Sequence, residues 1–153
     1  MQSNYLNAVQ LKNPKPGLAF SYFPKFYKTV NLISEADKTE VATTPAIEIP
    51  VQNKAGSFAT RHQGYFYAAE DGIYSFFLRS DDGSMLKMQN KTLIDNDGMH
   101  FAIEKSAQIA LKKGYHPFEL LFLEGGGGYT LELEYSLNSG KRKAVSSTDF
   151  FME

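Results

Sequence analysis

The sequence predicts an all-β domain, a sandwich or barrel with little or no helix. Among its 153 residues, 12 Phe and 9 Tyr stand against no Trp, a bias toward side chains that fit a pleated surface. Turn chemistry is plentiful, with 12 Gly and 6 Pro. Short apolar segments recur between those turn residues at the spacing of a sandwich or barrel.

Leu18–Phe23 reads as the opening strand, and residues 46–51 read as the next. Between them Ser34 is a good N-cap, and Glu35 and Asp37 suit the first turn of a short helix through Lys38. Strands at 65–69 and 73–79 meet at Glu70-Asp71-Gly72, and Asp-Gly between aromatic runs is a strong hairpin signal. Segments 85–88 and 92–94 flank Gln89-Asn90-Lys91, which predicts a second hairpin. A third joins 107–111 to 118–123 across Lys112-Lys113-Gly114. Leu131, Leu133 and Tyr135 alternate with Glu132 and Glu134, the pattern of a strand with one buried and one wet face.

Gly125-Gly126-Gly127-Gly128 falls between two strands. Glycine takes positive φ freely, so the run reads as a permissive hairpin or bulge, or as a rim loop that brings bare backbone close to a ligand. It is not a phosphate cradle: Thr130 and Leu131 stand where G-x-G-x-x-G needs its last glycine, and no helix follows.

Composition narrows the function. Lys plus Arg total 16 against 17 Asp plus Glu, a net charge of −1, so the basic footprint of a nucleic-acid binder is missing. The apolar runs fall well short of the roughly 18 residues of a membrane-spanning helix, so no membrane insertion is expected. Without cysteine there is no disulfide, thiolate metal site or Cys nucleophile. Met1-Gln2-Ser3-Asn4 opens no signal-peptide pattern, so the chain is either cytosolic or a domain of a longer exported protein. The length fits one domain over residues 1–153.

Catalytic motifs fail. His62, His100 and His116 are too widely spaced for H-x-H or H-E-x-x-H, and no G-x-S-x-G occurs, so this chain is not expected to be an enzyme. Two acidic clusters remain at strand ends. Asp95-Asn96-Asp97-Gly98 departs from a calcium loop at Met99 and Ser106 and reads as an Asx-type turn. In Ser80-Asp81-Asp82-Gly83-Ser84 the adjacent carboxylates repel each other, which a hard cation such as Ca²⁺ would relieve; the alternative is a solvated turn.

Ordered blocks then carry a resemblance: Gly64-Tyr65-Phe66, Glu70-Asp71-Gly72-Ile73-Tyr74-Ser75-Phe76, Ser80-Asp81-Asp82-Gly83-Ser84-Met85-Leu86 and Leu93-Ile94-Asp95-Asn96-Asp97-Gly98. Ile109-Ala110-Leu111-Lys112-Lys113-Gly114-Tyr115-His116-Pro117 and Phe122-Leu123-Glu124-Gly125-Gly126-Gly127-Gly128 continue it, with a closing strand at 147–151. Over residues 17–151 the chain resembles the protective-antigen-fourteen domain. That resemblance implies a two-sheet antiparallel β-sandwich used as a module in exported bacterial glycosidases, toxins and fungal adhesins, with sugar binding as its usual role. In the adhesin branch a consecutive Asp pair joined by a cis peptide holds Ca²⁺, and the ion holds sugar hydroxyls; Asp81 and Asp82 match that pair. The adhesins add an asparagine and backbone carbonyls from a longer late loop. Here Glu124 stands there, followed by glycines, and is the candidate third oxygen ligand.

The resemblance thus implies a noncatalytic carbohydrate-binding accessory module of a bacterial glycoside-active enzyme, working in the periplasm, at the cell surface or as a secreted protein. Asp81, Asp82, Asp97, Gly126, Gly127 and Tyr129 are the candidate sugar-binding residues, Tyr129 as a stacking platform. Asp81, Asp82 and Glu124 are the candidate calcium ligands. The expected partners are a glycan and a parent catalytic domain. The alternative is a structural or protein-contact module that packs against that catalytic domain.

Overall fold

The computed structural model describes residues 4–153, which form two facing antiparallel sheets. Twelve strands build them: β1 (Lys15–Pro16), β2 (Leu18–Phe23), β3 (Glu40–Thr44), β4 (Phe58–Ala68), β5 (Gly72–Asp81), β6 (Ser84–Met88), β7 (Lys91–Asn96), β8 (Ile103–Leu111), β9 (Gly114–Glu124), β10 (Thr130–Leu137), β11 (Lys143–Ala144) and β12 (Phe150–Met152). The larger sheet runs β1-β12-β4-β9-β6-β7, with β2 also on β4 and β3 outside β2; the smaller runs β11-β10-β5-β8. Long β4 serves two partners on one side, pairing β2 between Ala59 and Gln63 and β12 at Tyr65 and Phe66. The all-β sandwich predicted from sequence is the observed fold. Among the described residues no helix is long and apolar enough to cross a membrane.

Aromatic rings hold the sheets together. Phe66 of β4 meets Tyr74 and Phe76 of β5 and Tyr135 of β10 edge-on, with centroids 5.7, 5.1 and 5.3 Å away. Such T-shaped contacts add to the area each ring buries, so Phe66 acts as a bolt through the sandwich. A second apolar cluster lies under the 24–38 segment, where Tyr27 and Val30 meet Phe23, Ala59, Leu121 and Leu123.

This cross-sheet packing overturns two of the three predicted hairpins. Strands β4 and β5 belong to different sheets, so Glu70-Asp71-Gly72 carries the chain across the sandwich, and the turn between β8 and β9 does the same. An aromatic strand buries the same face whether its successor lies beside it or opposite it, so alternation could not distinguish the two. At the first crossing Tyr74 OH donates to Glu70 O at 2.6 Å, and a side chain at Gly72 would collide with Leu137. The β6–β7 connection is the true hairpin: Gln89 and Asn90 have φ of 55° and 63°, as a two-residue primed turn requires.

Residues 46–51 form no strand. Pro45 and Pro50 bring no N–H, and the segment instead makes tight local bonds, Glu48 N–H to Ala46 O at 3.1 Å and Val51 N–H to Ile49 O at 2.9 Å. Its alternating apolar side chains are nonetheless packed against the core. The missed strand is β3, whose residues Glu40 to Thr43 are exposed and lack that alternation. The helix expected after Ser34 is a single 3-10 turn, Glu35–Asp37, whose Ala36 N–H donates to Ser34 Oγ at 3.3 Å. The closing segment likewise begins as a 3-10 turn, Ser147–Asp149, and only then enters β12.

Candidate functional site

Three sheet-crossing connections meet at one end of the sandwich: residues 82–83 after β5, 97–102 after β7 and 125–129 after β9. A buried polar frame fixes them. Ser80 Oγ and Ser84 Oγ are 2.6 Å apart across the first, and Asn96 Nδ2 donates to Ile103 O at 2.9 Å across the second. Gly83 lets the first two loops touch, since a Cβ there would collide with the backbone of Gly98. The end of β5 is stitched to β9 by Asp82 N–H donating to Leu123 O (3.1 Å) and Leu123 N–H donating to Gly83 O (2.8 Å).

The Asp81-Asp82 peptide is cis. One carboxylate oxygen from each of Asp81, Asp82 and Glu124 lies within 4.8 Å of the other two, so β5 and β9 bring together three acids separated by a long stretch of sequence. Asp82 Oδ2 accepts from Gly125 N–H at 2.7 Å, and Glu124 Oε1 accepts a longer bond from Gly126 N–H at 3.3 Å. Glu124 is only 2% exposed, and its Oε2 is buried with no hydrogen-bond partner. Burial pushes its carboxyl up to about 7, and the neighbouring Asp82 and Asp81 charges add to that. A buried oxygen left without a donor is costly, and a hard cation beside it would satisfy it. Calcium takes carboxylate oxygens in flexible geometry, so this donor set fits it.

Sequence and structure place the other candidates differently. Asp97 stands outside the triad. Its Oδ1 accepts from Val30 N–H (3.0 Å) and Gly98 N–H (2.8 Å), so it ties the 24–38 segment to the rim. Asp95 Oδ1 accepts from Asp97 N–H at 3.1 Å, the Asx-type turn read from the sequence. Tyr129 is 41% exposed and packs edge-on against Phe58 (5.8 Å) and tilted against Phe122 (5.7 Å). Gly126 borders the groove next to Asp81 and Asp82, while Gly127, with φ of 85°, has open space around it.

That groove, about 780 Å³, is lined by Asp81 and Asp82, by Met99, His100, Phe101 and Ile103, and by Gly126 and Gly128. Phe101 is 88% exposed, the most exposed large apolar side chain of those described. The loop that carries it is held in shape, because the His100 ring nitrogens face Asn96 O (2.8 Å) and Phe101 O (2.6 Å). Gly125 allows close approach here too, since a Cβ would come 2.7 Å from Met99 Sδ and 3.1 Å from Asp82 Oδ2. The sequence reading did not single out Met99, Phe101 or Ile103 as site residues. The available signal was large apolar residues directly after an Asp-Gly turn, where solvated residues are usual. The other two histidines are buried elsewhere: His62 faces Glu48 O at 2.7 Å and His116 lies against Gln89.

A family model described as the PA14 domain matches residues 14–149. The chain belongs to the PA14 domain family. Solved PA14 structures share its fold. The PA14 domain of the MpAFP antifreeze protein superposes with a TM-score of 0.77 at 14% identity, over 94% of each chain. A PA14 sugar-binding domain from an RTX adhesin gives 0.67 at 15% identity, covering 90% of this chain and 99% of that one. The Epithelial Adhesin 9 A domain from Candida glabrata, solved with Galb1-3GlcNAc, gives 0.70 at 10% identity, covering 95% and 93%. No curated protein matches the chain.

Proposed function

We propose that this PA14 domain is a noncatalytic carbohydrate-binding module whose site is completed by calcium. The observation that carries the reading is the buried, unpartnered Glu124 Oε2 next to Asp81 and Asp82. Those three residues would hold the ion, and the bound ion supplies coordination positions for sugar hydroxyls. The rest of the work belongs to the chain. Gly125 N–H fixes Asp82, the loop framed by His100 and Asn96 presents Phe101, and Met99 and Ile103 extend an apolar wall for the C–H face of a pyranose. The sugar-binding title of the RTX adhesin domain and the disaccharide bound to the fungal adhesin domain support the class of ligand. As in the resemblance, the module serves an exported glycoside-active enzyme and acts outside the cytoplasm.

A glycan array probed with calcium and again with chelator tests the proposal: binding that chelator removes supports it, and a folded protein that binds nothing in either condition overturns it. One observation favours a second reading, a contact surface for another protein. Phe101, Met99, Ile103 and Phe26 are all exposed, and clustered exposed apolar side chains mark interaction sites. Their convergence on the acid triad favours the sugar, because a protein contact needs no unpaired buried carboxylate oxygen.

A further inference from the structure

We infer that the groove selects neutral glycans over anionic ones, and that Glu124 sets this selection; the inference rests on the carbohydrate reading above. Three carboxylates bring three negative charges to the site, and a divalent cation cancels two. The loaded site therefore keeps one negative charge. Its buried, unpartnered Glu124 Oε2 makes the third carboxylate part of the cation's surroundings rather than a solvated bystander.

The groove lining offers little to offset that charge. No lysine or arginine lines it, and His100, its one basic side chain, has both ring nitrogens turned to Asn96 O and Phe101 O. The two rim amides next to the acids are already committed, Gly125 N–H to Asp82 Oδ2 and Gly126 N–H to Glu124 Oε1. The same groove is lined by Met99, Phe101 and Ile103, whose side chains strip water from whatever they cover and give a charged group no partner. A sialic or uronic carboxylate or a sulfate held against this wall, away from the ion, would be desolvated beside a site of net negative charge. A neutral sugar gives its hydroxyls to the ion and its C–H face to the wall without that cost. The discrimination is electrostatic, so it weakens with added salt.

The test is competition binding by the full chain at saturating calcium. The probes are Galb1-3GlcNAc, its sialylated and sulfated forms, and matched neutral and uronic oligosaccharides. In the original chain the neutral member of each binding pair should win by about tenfold or more, with a gap that narrows as salt rises. Glu124→Gln should weaken calcium binding in a calorimetric titration and, once calcium is saturating, shrink the gap severalfold. Phe101→Lys puts a cation on an exposed position of the wall and serves if the Glu124 variant fails to fold. It should shift the preference toward the anionic member of each pair, while calcium affinity falls by no more than a few-fold. Anionic glycans binding as well as their neutral counterparts, or a gap unchanged in both variants, would overturn the inference and leave the carbohydrate reading standing. Failure of every probe to bind the calcium-loaded chain would overturn both.

Discussion

Two acidic strand ends lie side by side in this domain and have opposite fates. In Asp95-Asn96-Asp97-Gly98 the backbone supplies the donors: Asp97 N–H goes to Asp95, and Val30 N–H and Gly98 N–H go to Asp97. In Asp81-Asp82-Gly83 only Gly125 N–H reaches Asp82, and Glu124 of β9 brings a third carboxylate whose Oε2 has no donor at all. Aspartates at a turn are structural when nearby N–H groups meet them. On the proposed reading they become a cation site when a distant strand adds negative charge faster than the backbone adds donors.

The largest expected difference between the two loops is in calcium. The double variant Asp81→Asn, Asp82→Asn should lose calcium binding yet stay folded. For the original chain, calcium at about 100 times its dissociation constant should add roughly 2.7 kcal/mol, raising the melting temperature by about 5–10 °C in scanning calorimetry. The double variant should show no calcium shift. A shift that persists there would put the ion elsewhere.

The converse is expected at Asp97. Asp97→Ala strips the acceptor from Val30 and Gly98 N–H groups and should cost about 1–3 kcal/mol in denaturant unfolding. Its calcium affinity should stay within a few-fold of the original. An Asp97 variant of unchanged stability that loses calcium would erase the distinction between the loops.

Acid sharpens the comparison further. Without calcium, Glu124 is pushed up to about 7 from its ordinary 4.5, so the folded state holds that proton more tightly than the unfolded chain. Its protonation therefore stabilises the fold fully below about 4.5, and that contribution is lost as pH rises through about 7, at no more than about 1.4 kcal/mol per pH unit. His62 works the other way: burial pushes it down to about 4, so its contribution is present above 6.5 and is lost as pH falls through about 4. Melting curves of the calcium-free original and Glu124→Gln across this range cancel the His62 part, and their difference should fall with rising pH. A difference independent of pH would mean that Glu124 is not the buried acid described here. The ion must displace the Glu124 proton, so calcium affinity should rise over the same range.

The smallest effect belongs to the apolar wall. Phe101→Ala should lower glycan affinity by about 1 kcal/mol, near fivefold, and leave calcium binding and melting temperature unchanged, because the ring is 88% exposed and supports no core contact. Loss of stability on that substitution would show the ring packing rather than presenting.

Much of this was legible in the sequence. Alternation at 131–135 and the Gln89-Asn90 turn announced strands and a hairpin because both signals are local. The Asp81-Asp82 pair and Glu124 were visible through the family resemblance, whereas their approach depends on β5 and β9 ending together, which no local pattern encodes. The Asp71-Gly72 crossing misread as a hairpin shows the same limit, since burial of one strand face does not say which sheet the next strand joins. The Asx turn at Asp97 was legible because Asp95 and Gly98 are its neighbours, whereas its bond from Val30 N–H was not, because Val30 is far off in the chain. The packing of Tyr129 against Phe58 and Phe122 was likewise hidden, because those rings come from β4 and β9.

The claim that Asp81, Asp82 and Glu124 form a cation site is tested most directly by titrating calcium into the calcium-free chain in a calorimeter, at pH 7 and in two buffers of different ionisation enthalpy. The account predicts a single site, with a dissociation constant no weaker than about a millimolar. It also predicts a buffer-dependent heat, because the proton on Glu124 is released as the ion enters. No heat up to millimolar calcium would contradict it, leaving Glu124 as an acid that stays protonated beside its two aspartates.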